Sequence, residues 1–525
     1  MKRRLPVGIQ DFVKIRESGH VYADKTASIH RLINSREGAF FLSRPRRFGK
    51  SLLCSTLEAI FEGRRELFKD IAGFGPLAIS SLDWEWKKHP VIRLDLNAGV
   101  YSNGVEELYS VLSREMEREA RNLEIDLNGD KNCKNQFAAL IEKSCKKTGE
   151  KAVVIVDEYD KPMLGTMDDP RLHIKIRDEL KGFYGILKSY DQYLRFVFLT
   201  GVSKFSHVSV FSDLNHLTDL TLDPQYSDLC GITQEELEQN FAPEIEAVLE
   251  AKDIAREDYI EKLRMYYNGY RFSAKPLTVY NPFGLLKHFE SAGNFLPFWY
   301  ESGTPSFLVN LITKQKINIL NLNNMKVGYE SFSKYDIENM QAVPVLYQSG
   351  YLTIKDYDED RLQFTLDYPN FEVRSSFANS LVKLYLKAPE ERANALSVKL
   401  PDALLDGDVA GVIDALRQFL SSIPYDIIKD TENYYETAVH LIFTMLGFNC
   451  RSEVRIASGR IDTLVETKNY VYCFEFKLNG SAEEALSQIN EKEYLLPWKG
   501  SGKTLFKVGV AFDQEKRNIG SWVSG

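Results

Sequence analysis

The stretch Arg44-Pro45-Arg46-Arg47-Phe48-Gly49-Lys50-Ser51 decides how the first part of this chain is read. It stands between the apolar run Ala39-Phe40-Phe41-Leu42 and the run Ser51 to Phe61, where Leu53, Leu57, Ile60 and Phe61 recur at helical spacing before Glu62-Gly63. Strand, loop and helix in that order are the setting of a phosphate-binding loop. In such a loop, backbone N–H groups and a lysine hold β- and γ-phosphates while a hydroxyl ligates Mg²⁺. Gly49-Lys50-Ser51 is the working end of one. Five residues before Gly49, where a glycine ordinarily permits a tight turn, stands Arg44. The loop reads as a nucleotide cradle with an arginine-rich rim.

A nucleotide site also needs a carboxylate at the end of a neighbouring strand, to hold Mg²⁺ and polarise an attacking water. Val153-Val154-Ile155-Val156-Asp157-Glu158 supplies it, with Asp157 on the Mg²⁺ side and Glu158 as general base. Val91 to Leu96 and Tyr193 to Gly201 are further strands, and their alternation with helical stretches predicts an α/β three-layer domain. The last of these leads into Val202-Ser203-Lys204, where a polar residue such as Ser203 can orient either the γ-phosphate or the attacking water. The candidate nucleotide set is Arg44, Arg47, Phe48, Gly49, Lys50, Ser51, Asp157 and Ser203, with Ser51 and Asp157 on the metal. Arg46 and Arg47 read equally as phosphate or partner contacts and as a solvated basic loop. Tyr22-Ala23-Asp24-Lys25-Thr26 either closes over the nucleotide or caps the helix that follows.

The 525 residues are too many for one core. We read residues 1–210 as the P-loop domain, 211–424 as a mainly helical middle region with a small hairpin, and 425–525 as a second α/β domain. The hairpin is Tyr351 to Ile354 and Leu362 to Leu366, with the acidic run Asp356 to Asp360 as its exposed turn. Aromatic-rich turns punctuate the middle: Tyr267-Asn268-Gly269-Tyr270, Tyr280-Asn281-Pro282-Phe283 and Trp299 to Pro305. No run approaches bilayer-spanning length, the basic start has no apolar stretch behind it, and the six cysteines are scattered without metal-ligand spacing. A cytoplasmic protein with no membrane partner is expected. The net charge of −8 argues against passive coating of nucleic acid. Residues 1–60 carry twelve Lys/Arg against five Asp/Glu, whereas 425–525 carry twelve against fourteen, so any nucleic-acid contact there is local.

The last domain carries a second chemistry. Gly459-Arg460-Ile461-Asp462 is followed, after a short turn, by Tyr470-Val471-Tyr472-Cys473-Phe474-Glu475-Phe476-Lys477. Alternation sets Glu475 and Lys477 on one strand face and Phe474 and Phe476 on the other, and an antiparallel neighbour brings Asp462 to the polar face. A helical pattern from Thr431 to Leu446 carries Glu432 and Glu436 one turn apart, and Ser481 to Glu484 forms a capping box ahead of Gln488. Carboxylates of this kind bind a hard cation that activates water for phosphodiester hydrolysis, and a lysine beside them steadies the developing charge. The plainer reading is a surface strand with a cross-strand Glu–Lys pair of little energetic consequence.

Taken together, these segments resemble a bacterial family that joins an AAA-ATPase-like domain to a C-terminal domain of the PD-(D/E)XK nuclease superfamily. Tyr22 to Thr26, Arg44 to Ser51, Asp157-Glu158-Tyr159-Asp160-Lys161-Pro162, Thr200 to Lys204, Tyr267 to Tyr270, Tyr280 to Phe283 and Gln348-Ser349-Gly350-Tyr351-Leu352 carry the likeness. So do Gly459 to Asp462, Phe474 to Lys477 and Gln488-Ile489. The family's loop likewise has arginine where the ordinary glycine stands. The resemblance implies ATP and Mg²⁺ as cofactors and Glu158 as the catalytic residue of the nucleotide site. At the second site it implies Asp462, Glu475 and Lys477 as catalytic, with Gln488 on a supporting helix. Glu432, Glu436, Asp462 and Glu475 are the candidate metal ligands there, which of the two helical glutamates serves being left open. It implies an ATP-gated nuclease acting on DNA or RNA; the alternative is a nucleotide-switched binding module with an inactive nuclease-like domain. A homo-oligomer is compatible with the sequence, which offers no clear trans-acting arginine finger.

Overall fold

The computed structural model describes residues 4–71, 73–127, 129, 132–204, 216–300, 306–315, 317–329, 342–384, 386–387, 390–424 and 431–525. The expected boundary at 210/211, the start of the last domain at 425, and Glu301 to Pro305 of the third aromatic turn lie outside the described residues. The chain gathers into two compact units, Met1–Trp299 with Lys326–Thr365, and Tyr300–Met325 with Leu366–Gly525. The stretch between 211 and 424 therefore contributes to both.

In the first unit a five-stranded sheet has the order β2-β3-β4-β1-β5, from β1 (Ala39–Ser43), β2 (Val91–Asp95), β3 (Ala152–Asp157), β4 (Leu194–Gly201) and β5 (Thr218–Asp219). Every pairing is parallel. β1 and β3 are buried along their whole length, which is why they read as unbroken apolar runs and not as alternating ones. The helix Lys50–Phe61 returns the chain from β1 to the far edge at β2. Val105–Asn122, Cys133–Thr148 and Pro170–Ser189 pack on one another and carry the chain stepwise from β2 to β4. Right-handed crossovers put those three on the face opposite Lys50–Phe61. The chain reverses direction across the sheet beside β1, and at such a switch point a crevice opens outside the carboxyl ends of the strands.

After β5 the unit is helical. Gln234–Asn240, Ala242–Lys252, Arg256–Tyr267 and Pro282–Glu290 build an apolar cluster that also takes in Val21 from the N-terminal segment. A small sheet of order β6-β8-β7 comprises β6 (Met325–Gly328), β7 (Thr353–Asp358) and β8 (Gln363–Asp367). The expected acidic turn is shorter than the sequence suggests. Asp356 to Asp358 belong to β7, and the reversal falls between Glu359 and Leu362, where Leu362 takes a left-handed φ of 48°.

The second unit is built on a sheet of order β13-β12-β11-β10-β9, from β9 (Asn449–Ile456), β10 (Gly459–Glu466), β11 (Tyr470–Lys477), β12 (Thr504–Asp513) and β13 (Asn518–Ser524). Only the β11–β12 pairing is parallel, bridged by the helix Ala482–Glu491. That helix begins with the expected capping box between Ser481 and Glu484. On one face, Phe443 of the helix Glu432–Met445 meets Phe474. On the other, Ile489 joins Leu464, Val471 and Cys473 in the core. Strand alternation thus turns Glu475 toward the Ala482–Glu491 side, as the pattern of β11 predicts.

Candidate nucleotide and phosphodiester sites

The phosphate loop leaves β1 at Ser43 and enters the helix at Lys50. Gly49 sits at φ 94°, a conformation that a side chain disfavours, although open space surrounds its Cα. Arg47 is also left-handed, at φ 63°, a strain of roughly 1–2 kcal/mol that the surroundings hold in place. The first N–H groups of the Lys50–Phe61 helix have no intrahelical acceptors and face the loop. Lys50 is buried, its Nζ 3.4 Å from the Pro45 carbonyl and 3.4 Å from Glu158 Oε1. Glu158 itself takes φ 53°, a left-handed backbone of the kind that active sites hold in place.

Asp157 ends β3 almost wholly buried, with Oδ1 unpaired among the described residues. Burial pushes its carboxyl up to about 6, against the opposing hydrogen bond with Ser51. Asp160 is fully buried, and its Oδ2 accepts the N–H groups of Val202 and Ser203 at 3.0 and 2.6 Å. The Tyr159 hydroxyl donates to the Ser203 carbonyl at 2.8 Å. The backbone of Ser203 is thereby pinned to the end of β3. A Cβ on Gly201 would fall 2.3 Å from Asp160 Oδ1, which explains glycine there. Beside the loop lies a shallow, largely apolar cleft, open to solvent, lined by Tyr22, Lys25, Phe48, Gly49, Cys230 and Pro282. Lys25 is fixed there by Glu236 at 2.6 Å.

The loop's rim corrects part of the sequence reading. Arg44 does not turn toward the phosphate side. Its guanidinium is buried and donates to the carbonyls of Ser43, Thr221 and Tyr226 at 2.8, 3.0 and 3.1 Å, with Phe272 beneath it at 4.2 Å. Phe48 is likewise a packing residue, edge-on to Tyr270 and Phe272. The Arg47 guanidinium lies 3.8 Å over the Phe283 ring. Trp299 Nε1 donates to the Arg46 carbonyl at 3.0 Å, and Gly350 lies against Pro45, where a Cβ would come within 2.8 Å. The aromatic turns of the middle region are therefore what hold the loop. Sequence reading singled out those turns without a role; only tertiary contact supplies one. Asp24, one residue before the N-cap Lys25, accepts the N–H groups of Thr26 and Ala78 on its two carboxylate oxygens.

In the second unit the expected residues meet at the ends of β10 and β11. Asp462 Oδ2 accepts the Phe476 N–H at 2.9 Å. Glu475 Oε1 accepts from Lys477 Nζ at 3.2 Å and from Gln488 Nε2, which also lies 3.1 Å from the Tyr494 hydroxyl. Glu432 Oε2 accepts the Leu478 N–H at 3.0 Å. Glu436, one turn further along the helix, leaves Oε1 buried and unpaired among the described residues, as Glu475 does Oε2. Burial, reinforced by the neighbouring carboxylates, pushes Asp462 up to about 6, Glu475 to about 7 and Glu436 to about 9. Burial alone would lower the Lys477 ammonium, but Glu475, Asp462 and Glu432 more than offset it, so it stays charged.

Two features were not legible in the sequence. Glu453 stands in β9 with a left-handed φ of 56°, and its carboxylate pairs with Arg460 and adds to the field on Glu436. The β9–β10 register skips it: Ile461 pairs with Val454 and Thr463 with Ser452, while Glu453 and Asp462, between them, are unpaired. No residue type signals such an irregularity. Behind the cluster, His440 is buried and kept neutral, its Nδ1 2.8 Å from Ser452 Oγ, which in turn meets Thr463 Oγ1 at 3.2 Å.

The oxygen-rich donor set and the unpaired buried carboxylate oxygens suit a hard cation. Even so, among the described residues no group of three or more His, Cys, Asp or Glu is arranged to hold a metal ion. Asp462, Glu475 and Glu432 each turn one oxygen to a protein donor. Both helical glutamates reach the cluster, Glu432 through Leu478 and Glu436 through the field of Asp462. Among the described residues no helix is long and apolar enough to cross a membrane.

Residues 6–211 match the family described as "Predicted AAA-ATPase" (AAA-ATPase-like), and residues 430–522 match the PD-(D/E)XK nuclease superfamily. The chain is 34% identical over 533 residues to a protein of Azotobacter chroococcum mcd 1 described as "Uncharacterized protein in vnfD 5'region", covering 99% of each. No solved structure matches. The chain therefore belongs to the family that joins an AAA-ATPase-like domain to a C-terminal PD-(D/E)XK nuclease superfamily domain.

Proposed function

We propose that this protein binds and hydrolyses ATP with Mg²⁺, and that the nucleotide cycle gates a Mg²⁺-dependent phosphodiester-cleaving domain acting on DNA or RNA. The observation that carries the reading is the hydrogen-bonded meeting of Asp462, Glu475, Lys477, Gln488 and Glu432 at the ends of β10 and β11. A chance surface pair would not recruit a half-buried glutamine from one helix and a glutamate from another. In the first unit, the N–H groups from Gly49 onward and the Lys50 ammonium bind the phosphates, and Ser51 and Asp157 would hold the metal. Glu158, beside Lys50, accepts the proton of the attacking water. In the second unit, Asp462 and Glu475 with Glu432 or Glu436 would hold the cation. When bound, Mg²⁺ supplies Lewis-acid polarisation of the phosphoryl oxygen and a more acidic water. Gln488 orients Glu475, and the charged Lys477 steadies the attacking oxygen and the phosphorane charge. The same reading makes the protein cytoplasmic, free of the membrane and capable of self-association, with functional boundaries at 210/211 and 424/425.

The test is ATP turnover and cleavage of labelled single- and double-stranded DNA and RNA with Mg²⁺ or Mn²⁺. Wild type is expected to cut, Asp462→Ala to hydrolyse ATP without cutting, and Lys50→Ala to lose both turnover and ATP-stimulated cutting. Failure of wild type to cut any polymer with ATP present overturns the nuclease reading. A second reading, a nucleotide-switched binding module, is favoured by the protein donors that already occupy the carboxylates. It predicts that Asp462→Ala/Glu475→Ala functions normally in cells in which Lys50→Ala does not.

A further inference from the structure

The register of the β9–β10 hairpin sets Arg455 directly opposite Arg460. Like charges facing each other across an antiparallel pair repel. Val454, Ile456 and Ile461 pack into the core of the second unit, so the arginine pair between them points away from that core. Both arginines are exposed. One carboxylate, that of Glu453, pairs with Arg460; Arg455 has no ion-pair partner among the described residues. Other cations of the same sheet are already engaged. Arg451 and Lys503 share Glu466, Lys477 holds Glu475, Lys507 donates to Asn490 and Lys516 pairs with Asp513 at 3.1 Å. The hairpin thus keeps a guanidinium in reserve two residues along the register from Asp462.

The ionised members of the cluster formed by Glu432, Glu436, Glu453, Asp462 and Glu475 repel a polyanion unless nearby cations offset them. A guanidinium binds phosphate oxygens through a planar pair of N–H donors. We propose that Arg455 and Arg460 form a phosphate clamp that takes the sugar–phosphate backbone of a nucleic-acid strand beside the carboxylate cluster. The inference rests on the reading of the second unit as a nucleic-acid-cleaving domain. The clamp engages the backbone and not base edges, so it contributes affinity without sequence preference.

The experiment measures binding of the full-length protein to fluorescein-labelled single- and double-stranded DNA and RNA by anisotropy, in Ca²⁺, across a series of NaCl concentrations. Arg455→Ala and Arg460→Ala are each expected to weaken binding by roughly three- to tenfold at every sequence tried. Each should also lower the slope of log Kd against log salt by about 1. Lys516→Ala, at the far turn of the same sheet, should change neither quantity. Circular dichroism and the thermal midpoint check that the variants fold. If wild type binds and both arginine variants bind with unchanged Kd and slope, the clamp is overturned while the nuclease reading stands. If wild type binds none of the four polymers, the nuclease reading falls, and the clamp with it.

Discussion

At the end of β1 the chain gathers Arg46, Arg47 and Lys50 in a loop that runs into a helix N-terminus; at the ends of β10 and β11 it gathers five carboxylates around Lys477 and Arg460. The two places differ in how they are supported. The loop is fixed from outside, by Trp299 on the Arg46 carbonyl, Phe283 under Arg47 and the Phe272–Tyr270 pair around Phe48. The carboxylates are fixed from inside, by the N–H groups of Phe476 and Leu478 and by Gln488. The first arrangement makes the site sensitive to distant packing. The second makes it sensitive to pH, because like charges share a buried space.

Four measurements test that contrast. The largest effect is expected for Asp462→Ala, which should cut phosphodiester cleavage by about a thousandfold or more while ATP affinity, measured by calorimetry, stays at the wild-type value. Lys50→Ala should do the reverse, lowering nucleotide affinity or turnover by on the order of a hundredfold with divalent-dependent nucleic-acid binding retained. A smaller effect concerns Glu436. Its carboxyl is raised from 4.5 to about 9, so between those values the folded protein holds a proton that the unfolded chain releases. Stability therefore falls as pH rises through that window, and below pH 4.5 the contribution is flat. In EDTA, Glu436→Gln should stabilise the second unit at pH 8 by on the order of 2 kcal/mol, and much less at pH 5, as read by thermal unfolding. The smallest effect is Trp299→Phe, which removes one hydrogen bond worth about 1 kcal/mol and should weaken nucleotide binding a fewfold. An unchanged nucleotide affinity there would mean that the loop is not supported from outside.

Much of this was legible in the residues. The strands Ala39–Ser43, Val91–Asp95 and Ala152–Asp157 stand within a residue of their apolar runs, because a buried parallel strand has to be apolar on both faces. The polar face of β11 followed from simple alternation. What was not legible depends on contacts distant in sequence. Arg44 reads as a phosphate ligand until Thr221 and Tyr226, about 180 residues away, prove to hold it. Glu453 reads as an ordinary strand residue, since nothing in its chemistry announces a left-handed backbone. The acidic run at Asp356 to Asp360 reads as a turn because charge is a correlate of exposure, and an exposed edge strand satisfies it equally well.

The buried guanidinium of Arg44 also bears on how such a loop changes over time. Its hydrogens satisfy three carbonyls, that of the adjacent Ser43 and those of Thr221 and Tyr226 in one distant stretch. Restoring glycine at position 44 would not recreate an ordinary phosphate loop; it would leave those carbonyls without donors and Phe272 facing a void. Glycine at position 44 would be accommodated only if the residues around Thr221, Tyr226 and Phe272 changed with it.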